Sequence, residues 1–359
     1  MYGIGNGYGR QLLVIPIPEM TRAAATFVSR QGRAAPLKAI FMAIALLGFQ
    51  TTIATPLSLT GIGVHSGRQV TLNMLPAEAG AGIVFVRQHD DGSATELKAV
   101  SSQVGNTDLC TVLGFSPAHS IATIEHVMAA IYALGIDNLV IEVDGAEMPI
   151  MDGSSEAFID AIEEVGIVNL GVKRRYIRVT KPVRIESGAS WSEFRPYDGT
   201  RFEVEIDFDT PLIGRQKWEG DLTASTFKRE LSRARTFGFM RDVERLWAAG
   251  FALGSSLENS VVISDDNTVI NVEGLRYEKD EFVRHKTLDA VGDLALAGAQ
   301  FIGCYRSYRG GHKMNANALK ALLSDPTAYE VVEAPARSLQ ARAREFVAVN
   351  VPEFAPWSA

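Results

Sequence analysis

Cysteine is nearly absent from this 359-residue chain: there are two, Cys110 and Cys304, and no CxxC spacing. That argues against a disulfide framework and against a thiolate-ligated zinc. It leaves two small buried hydrophobes in a reducing compartment. Positive charge is not in excess either. Lys and Arg number 35 against 42 Asp and Glu, for a formal net charge of −7. The chain therefore has no bulk attraction for nucleic acid or for an anionic substrate, and any phosphate must be caught by local Lys and Arg. No apolar run reaches the roughly 20 residues that a membrane-spanning helix needs. The candidate, Ala39 to Phe49, has eleven. What remains is ordinary: 47% hydrophobic and 21% charged residues, in a length that allows two domains.

The N-terminal stretch reads differently from the rest. Met1 to Arg10 is Gly-rich, and Arg22 to Lys38 is basic and Ala-rich with no acidic residue. A basic stretch before a short apolar run resembles a signal peptide, but a small-x-small cleavage site is missing. Residues 1–46 are expected to form a weakly ordered extension, with Met42 a candidate alternative start. Residues 47–170 are expected as a first domain, 171–330 as a second, and 331–359 as a tail.

Period-2 runs predict strands at 70–75, 83–87, 139–143, 176–185, 191–195, 202–208 and 301–308. Thr123 to Leu134 reads as a helix with Thr123 as N-cap and Gly135 as stop. Ser154 or Ser155 caps the next helix, which ends at Gly166. Further helices are expected at 227–234, 239–249, 282–297 and 315–323. Val168 to Arg175 reads as a linker, and Asp265-Asp266-Asn267 as a hairpin turn. Gly310-Gly311 reads as a turn that presents His312 to a cleft. Strands followed by helices in each half predict an α+β fold.

Two short segments about 160 residues apart carry the chemistry. One is Thr123-Ile124-Glu125-His126; the other runs from His285 to Asp293. Residues four apart share a helix face, so His285, Asp289 and Asp293 form one stripe. His285 and Asp289 make half of a metal site, and His126 supplies a third ligand with Glu125 beside it. Three protein ligands and an open position is the catalytic arrangement of zinc, although ferrous iron accepts the same donors. Spacing alone is satisfied as well by ordinary helix histidines, and Glu125 by a solvent-facing first-turn carboxylate.

The ordered motifs tip this balance. Thr60 to Gly67 (TGIGVHSG), Ile124 to Val127 (IEHV), Gly135 to Ile141 (GIDNLVI), Pro149 to Gly153 (PIMDG), Ser232 to Arg241 (SRARTFGFMR), Phe282 to Asp293 and Gly310 to His312 occur in register between about residues 49 and 325. In these the chain resembles the zinc-dependent UDP-3-O-acyl-N-acetylglucosamine deacetylases of lipid A synthesis. The N-terminal extension, which most members lack, is the departure.

The resemblance implies two similar domains, each a two-layer α/β sandwich, with the active site at their interface. It implies hydrolysis of the N-acetyl group of UDP-3-O-(3-hydroxyacyl)-N-acetylglucosamine, the committed step of lipid A biosynthesis. It makes His126, His285 and Asp289 the ligands of Zn2+, with Fe2+ possible. It makes Glu125 the general base and His312 the general acid, with Asp293 hydrogen-bonded to His312 to raise its pKa. Thr236 falls at the oxyanion. Lys286, expected to point off the ligand face, becomes a contact for a substrate phosphate or hydroxyl. Phe237 and His65 fall near the substrate, and Phe194 is a candidate for stacking on uracil. An insert at about 238–271 supplies a hydrophobic passage for the acyl chain, with Phe239, Met240, Leu246, Trp247, Phe251 and Leu253 as lining or, on amphipathicity alone, as core. His89 and His119 are assigned to the surface. The expected protein is a cytoplasmic monomer with a UDP-linked acylated amino-sugar as substrate, no nucleic acid and no transmembrane segment.

Two other readings use the same residues. A non-catalytic nucleotide-sugar or acyl-carrier-binding regulator predicts broken ligands or a lost base, yet Glu125, His126, His285, Asp289 and His312 are all present. A related zinc hydrolase of another acetylated sugar is distinguished by comparing acylated with unacylated substrate.

Overall fold

A computed structural model describes residues 48–333. The expectations for residues 1–46 and for most of the 331–359 tail lie outside the described residues. Alternation of apolar and polar side chains sets the strands. The first half of the chain runs β1 (Phe49–Ile53), β2 (Leu57–Ile62), β3 (Gln69–Pro76), β4 (Ile83–Gln88), β5 (Ala94–Lys98), α1 (Glu125–Leu134), β6 (Leu139–Val143), α2 (Glu156–Val165) and β7 (Ile167–Lys173). The second runs β8 (Arg175–Val179), β9 (Val183–Ser187), β10 (Ser190–Arg195), β11 (Thr200–Asp207), β12 (Arg215–Asp221), α3 (Ala224–Glu230), β13 (Phe237–Phe239), α4 (Met240–Ala248), β14 (Val261–Ile263), α5 (Glu281–Ala295), β15 (Gln300–Tyr308), α6 (His312–Leu323) and β16 (Tyr329–Glu333). The fold is mixed α+β.

A five-stranded sheet has the order β2-β3-β6-β4-β5, with only β4 and β6 parallel. Val70, Leu72 and Met74 of β3 point into its core. A seven-stranded sheet has the order β12-β11-β15-β10-β9, with β8 on β15 and β16 on β8. Strict alternation along β11 sends Phe202, Val204 and Ile206 inward and Arg201, Glu203 and Glu205 outward. Two-stranded pairs, β1-β7 and β13-β14, complete the sheets of the described residues.

α1 and α5 pack against each other, and the reason they approach so closely is Gly292. A Cβ at that position would lie 1.9 Å from the Glu125 carbonyl oxygen. Only glycine permits the contact, and it brings the two motif-bearing segments together. Every residue of α5 except Arg284 and Lys286 is buried. A helix this deeply buried, carrying Glu281, Asp289, Asp293 and His285, has to satisfy those groups internally.

Several expectations need correction. Val168 to Arg175 is no linker: β7 pairs antiparallel with β1, and Arg174 is buried in an ion pair with Asp137. Its burial is too weak for a periodic signal, as expected of an edge strand. Residues 176–185 form two strands, since β8 ends at Val179 and β9 begins at Val183 ahead of its own hairpin. Residues 331–333, expected in the tail, belong to β16, which pairs with β8. Thr123 does not cap α1. It sits at φ 59°, and its hydroxyl donates to the buried Glu147 carboxylate instead of accepting from a helix N–H. α6 starts at His312 itself, so that residue heads a helix instead of sitting in a turn.

Candidate metal centre

Glu125 and His126 open α1; His285, Lys286, Asp289 and Asp293 lie on α5; His312 opens α6. The ligand atoms of His126, His285 and Asp289 all fall within 4.8 Å of one another. His126 Nε2 lies 3.6 Å and His285 Nε2 3.3 Å from Asp289 Oδ1. The His126 and His285 rings meet edge to face with centroids 5.1 Å apart. All three residues are under 5% exposed.

The donor set fits a metal ion. His285 Nδ1 lies 3.0 Å from the Ala234 carbonyl, which can only accept, so Nδ1 carries the proton and Nε2 presents its lone pair to the cluster. Burial pushes the His285 imidazolium pKa down to about 3, which keeps the ring neutral. For Asp289, burial raises the pKa, but the Lys286 ammonium beside it pulls the other way, and the carboxyl lies well below its usual range. A neutral imidazole beside an ionised carboxylate is the protonation state that a divalent cation binds. Asp289 Oδ1 is buried and accepts no hydrogen bond, a cost that coordination would relieve. The charges agree: the carboxyl groups of Glu125, Asp289 and Asp293 face Lys286 and His312 as cations.

Around this triad the predicted residues converge. Glu125 is buried, not solvent-facing, and burial raises its pKa. Its Oε2 accepts the Thr111 N–H at 3.0 Å, and Oε1 lies 3.9 Å from His312 Nε2. His312 Nδ1 meets Asp293 Oδ2 at 3.0 Å. Burial lowers the His312 pKa, but Asp293 and Glu125 overcome it and push it up to about 9. Asp293 also accepts from Asn315 Nδ2 at 2.7 Å and from the Thr111 hydroxyl at 2.5 Å.

Thr236 and Phe237 line the same cavity as Glu125 and His126. Thr236 is held by its N–H on the Gly153 carbonyl at 2.8 Å and by Val261 N–H on its own carbonyl at 2.8 Å. Gly153, at φ 85°, has no room for a Cβ, which would lie 2.1 Å from the Asn259 carbonyl oxygen. His65 lines the cavity as well and packs edge to face on Phe251. Lys286 corrects the expectation that it points away. Its Nζ donates to Asp289 Oδ2 at 2.8 Å and lies 5.6 Å over the Phe237 ring. The i, i+3 spacing to Asp289 carried that signal. Phe194 is not brought to the site. It is 1% exposed, packed on Phe301 and Tyr305 in the core of the large sheet, and offers no face to a base. His119 is exposed and His89 half-buried, joined through Thr95.

The cavity has a volume of about 390 Å3 and runs from Glu125 and His126 to the 238–271 segment. Phe239, Met240, Leu246 and Trp247 line it, while Phe251 and Leu253 hold the segment against the His65 turn. Phe239 packs against the core, but the others are not core: α4 has no buried residue, and Trp247 is 54% exposed.

Residues without a spacing signal support the site. Buried Glu147 accepts the N–H groups of His65 and Ser66 at 2.8 and 2.9 Å and so fixes the glycine turn. Fully buried Arg235 is bound by Glu281 through its backbone N–H and its Nε, at 3.1 and 2.9 Å. That pair anchors the chain between Ala234, which orients His285, and Thr236.

Three buried N and O donors on two packed helices, with a carboxylate beside them, an imidazole opposite and an apolar cavity, form a group that could hold a metal ion. Comparison with known proteins narrows this. Residues 50–324 match the family LpxC, UDP-3-O-acyl N-acetylglycosamine deacetylase. Proteins called UDP-3-O-acyl-N-acetylglucosamine deacetylase from Brucella ovis, Brucella abortus and Brucella melitensis are 62% identical to the chain over 286 residues, covering 80% of it and 99% of each relative. The chain belongs to the LpxC family, and it is a deacetylase of lipid A biosynthesis. Among the described residues, no helix is long and apolar enough to cross a membrane.

Proposed function

We propose that the protein removes the N-acetyl group of UDP-3-O-(3-hydroxyacyl)-N-acetylglucosamine, releasing acetate and the free amine, with Zn2+ or Fe2+ held by His126, His285 and Asp289. The bound ion supplies Lewis acidity and makes water a better nucleophile near neutral pH. Glu125 takes the proton of the attacking water; its raised pKa suits a base that later has to release that proton. His312, an imidazolium below about pH 9, protonates the departing amine, and Asp293 keeps that ring oriented and charged. Thr236 donates toward the acetamide oxygen as charge develops there. Lys286 and Phe237 border the sugar end, His65 the opposite wall, and the 238–271 segment takes the acyl chain. The single observation that carries this reading is the buried, unpartnered Asp289 Oδ1 between two imidazole Nε2 atoms.

The same reading includes two similar two-layer domains, 47–170 and 171–330, with the site between them, in a cytoplasmic monomer. A five-stranded sheet in the first half and a seven-stranded sheet in the second support the two-domain part of this reading. The test of function is an assay of purified protein with acylated and unacylated UDP-N-acetylglucosamine, before and after chelation. Turnover of the acylated substrate that stops on chelation and returns with zinc is expected. Turnover indifferent to chelation, or a preference for the unacylated sugar, overturns the reading.

A further inference from the structure

Thr111 does not line the cavity, yet all of its polar groups are committed around the centre. It is 1% exposed. Its backbone N–H donates to Glu125 Oε2 at 3.0 Å, and its carbonyl accepts the Ile124 N–H at 3.3 Å. Its hydroxyl meets Asp293 Oδ1 at 2.5 Å and must donate there, because a carboxylate only accepts. Glu125 and Asp293 stand on different helices, and Thr111 belongs to neither.

The consequence is a division of oxygens. Thr111 takes Glu125 Oε2 and leaves Oε1 facing His312 Nε2. It takes Asp293 Oδ1 and leaves Oδ2 to His312 Nδ1 and Asn315 Nδ2. We infer that Thr111 is a positioning residue for the deacetylation, fixing the carboxylate planes of Glu125 and Asp293 together so that Glu125 and His312 keep their separation. The inference rests on the roles proposed above for Glu125 and His312.

The test compares zinc-loaded Thr111→Val, which removes the hydroxyl at nearly constant shape, with Thr111→Ser, which keeps it. Removing an outer partner of this kind typically costs about 10- to 100-fold in activity. Thr111→Val is expected to lose about that factor in kcat with KM within about twofold and zinc content unchanged. Thr111→Ser is expected to stay within about threefold of the parent. Independently of turnover, the proton NMR resonance of His312 Nδ1–H is expected to shift in Thr111→Val and to remain in place in Thr111→Ser. If Thr111→Val does not fold, Thr111→Ser still decides: a displaced His312 resonance or a large loss of kcat there overturns the inference. So does a Thr111→Val protein with parental kcat, or one whose loss is entirely in KM or zinc content. An inactive zinc-loaded parent would sink the deacetylase reading itself, whereas an active parent with an indifferent Thr111→Val sinks only this inference.

Discussion

Two assemblies of charge in this protein obey opposite rules. On the outer face of the seven-stranded sheet, acids and bases alternate and nearly every group has a partner. Glu203 accepts from both Arg201 and Arg306, and Arg184 pairs with Glu186 while covering the Trp191 ring. Around the His126, His285 and Asp289 cluster, the buried carboxyl groups of Glu125, Asp289 and Asp293 face Lys286 and His312, and Asp289 Oδ1 accepts no hydrogen bond. Exposed pairs are individually worth little and lose little when broken. Buried groups are costly to desolvate and are retained where they serve chemistry. An imbalance of charge inside, next to balance outside, is what locates the function.

The sharpest way to break that contrast is to delete the base. Glu125→Ala is expected to retain metal and lose about 10²- to 10⁴-fold in kcat, the usual range for a general acid or base. Near-normal turnover with bound metal would remove Glu125 from that role. The next largest effect belongs to the helix crossing. Gly292→Ala forces a Cβ onto the Glu125 carbonyl and is expected to cost about 1–3 kcal/mol, as overpacking does, with lowered metal content. Thermal melting and metal analysis would check it, and an unchanged Tm would show that α1 and α5 separate freely.

A third effect is on pH. The His312 pKa is raised above its ordinary 6.5, to about 9, so the ring is charged at neutral pH. Its contribution to the stability of the metal-free protein is fully present below about pH 6.5 and is lost as pH rises through about 9. Activity is expected to fall over the same alkaline range, and Asp293→Asn is expected to move that limb to lower pH. A pH–rate profile whose alkaline limb ignores Asp293→Asn would contradict the pairing. The smallest effect lies on the outer sheet. Glu203→Gln removes a carboxylate shared by two arginines and is expected to cost about 1 kcal/mol or less, with kcat and KM unchanged. A larger loss would mean that the outer lattice is not the passive surface described here.

How much of this the sequence carried depends on whether a role leaves a periodic trace. The α5 stripe of His285, Asp289 and Asp293 was legible because helix geometry repeats every four residues, and the Glu125-His126 pair because it heads an apolar helix. The strands β3 and β11 were legible because burial alternates along them. Thr111, Glu147 and the Arg235–Glu281 pair were not: each is a single residue whose partner lies far along the chain, and no spacing encodes that. β7 was hidden because an edge strand buries little. The direction of Lys286 was misread although its i, i+3 relation to Asp289 was available. Phe194 shows the converse error, since an aromatic in a strand next to charged residues reads as a surface platform until its core neighbours are known.

The central claim is that the His126, His285 and Asp289 cluster holds a catalytic divalent ion. Elemental analysis of the purified protein, alongside the same measurement on Asp289→Ala, tests it most directly. The account predicts close to one zinc or iron per chain in the parent and almost none in the variant. Equal metal in both, or none in a parent that turns over substrate, would contradict it.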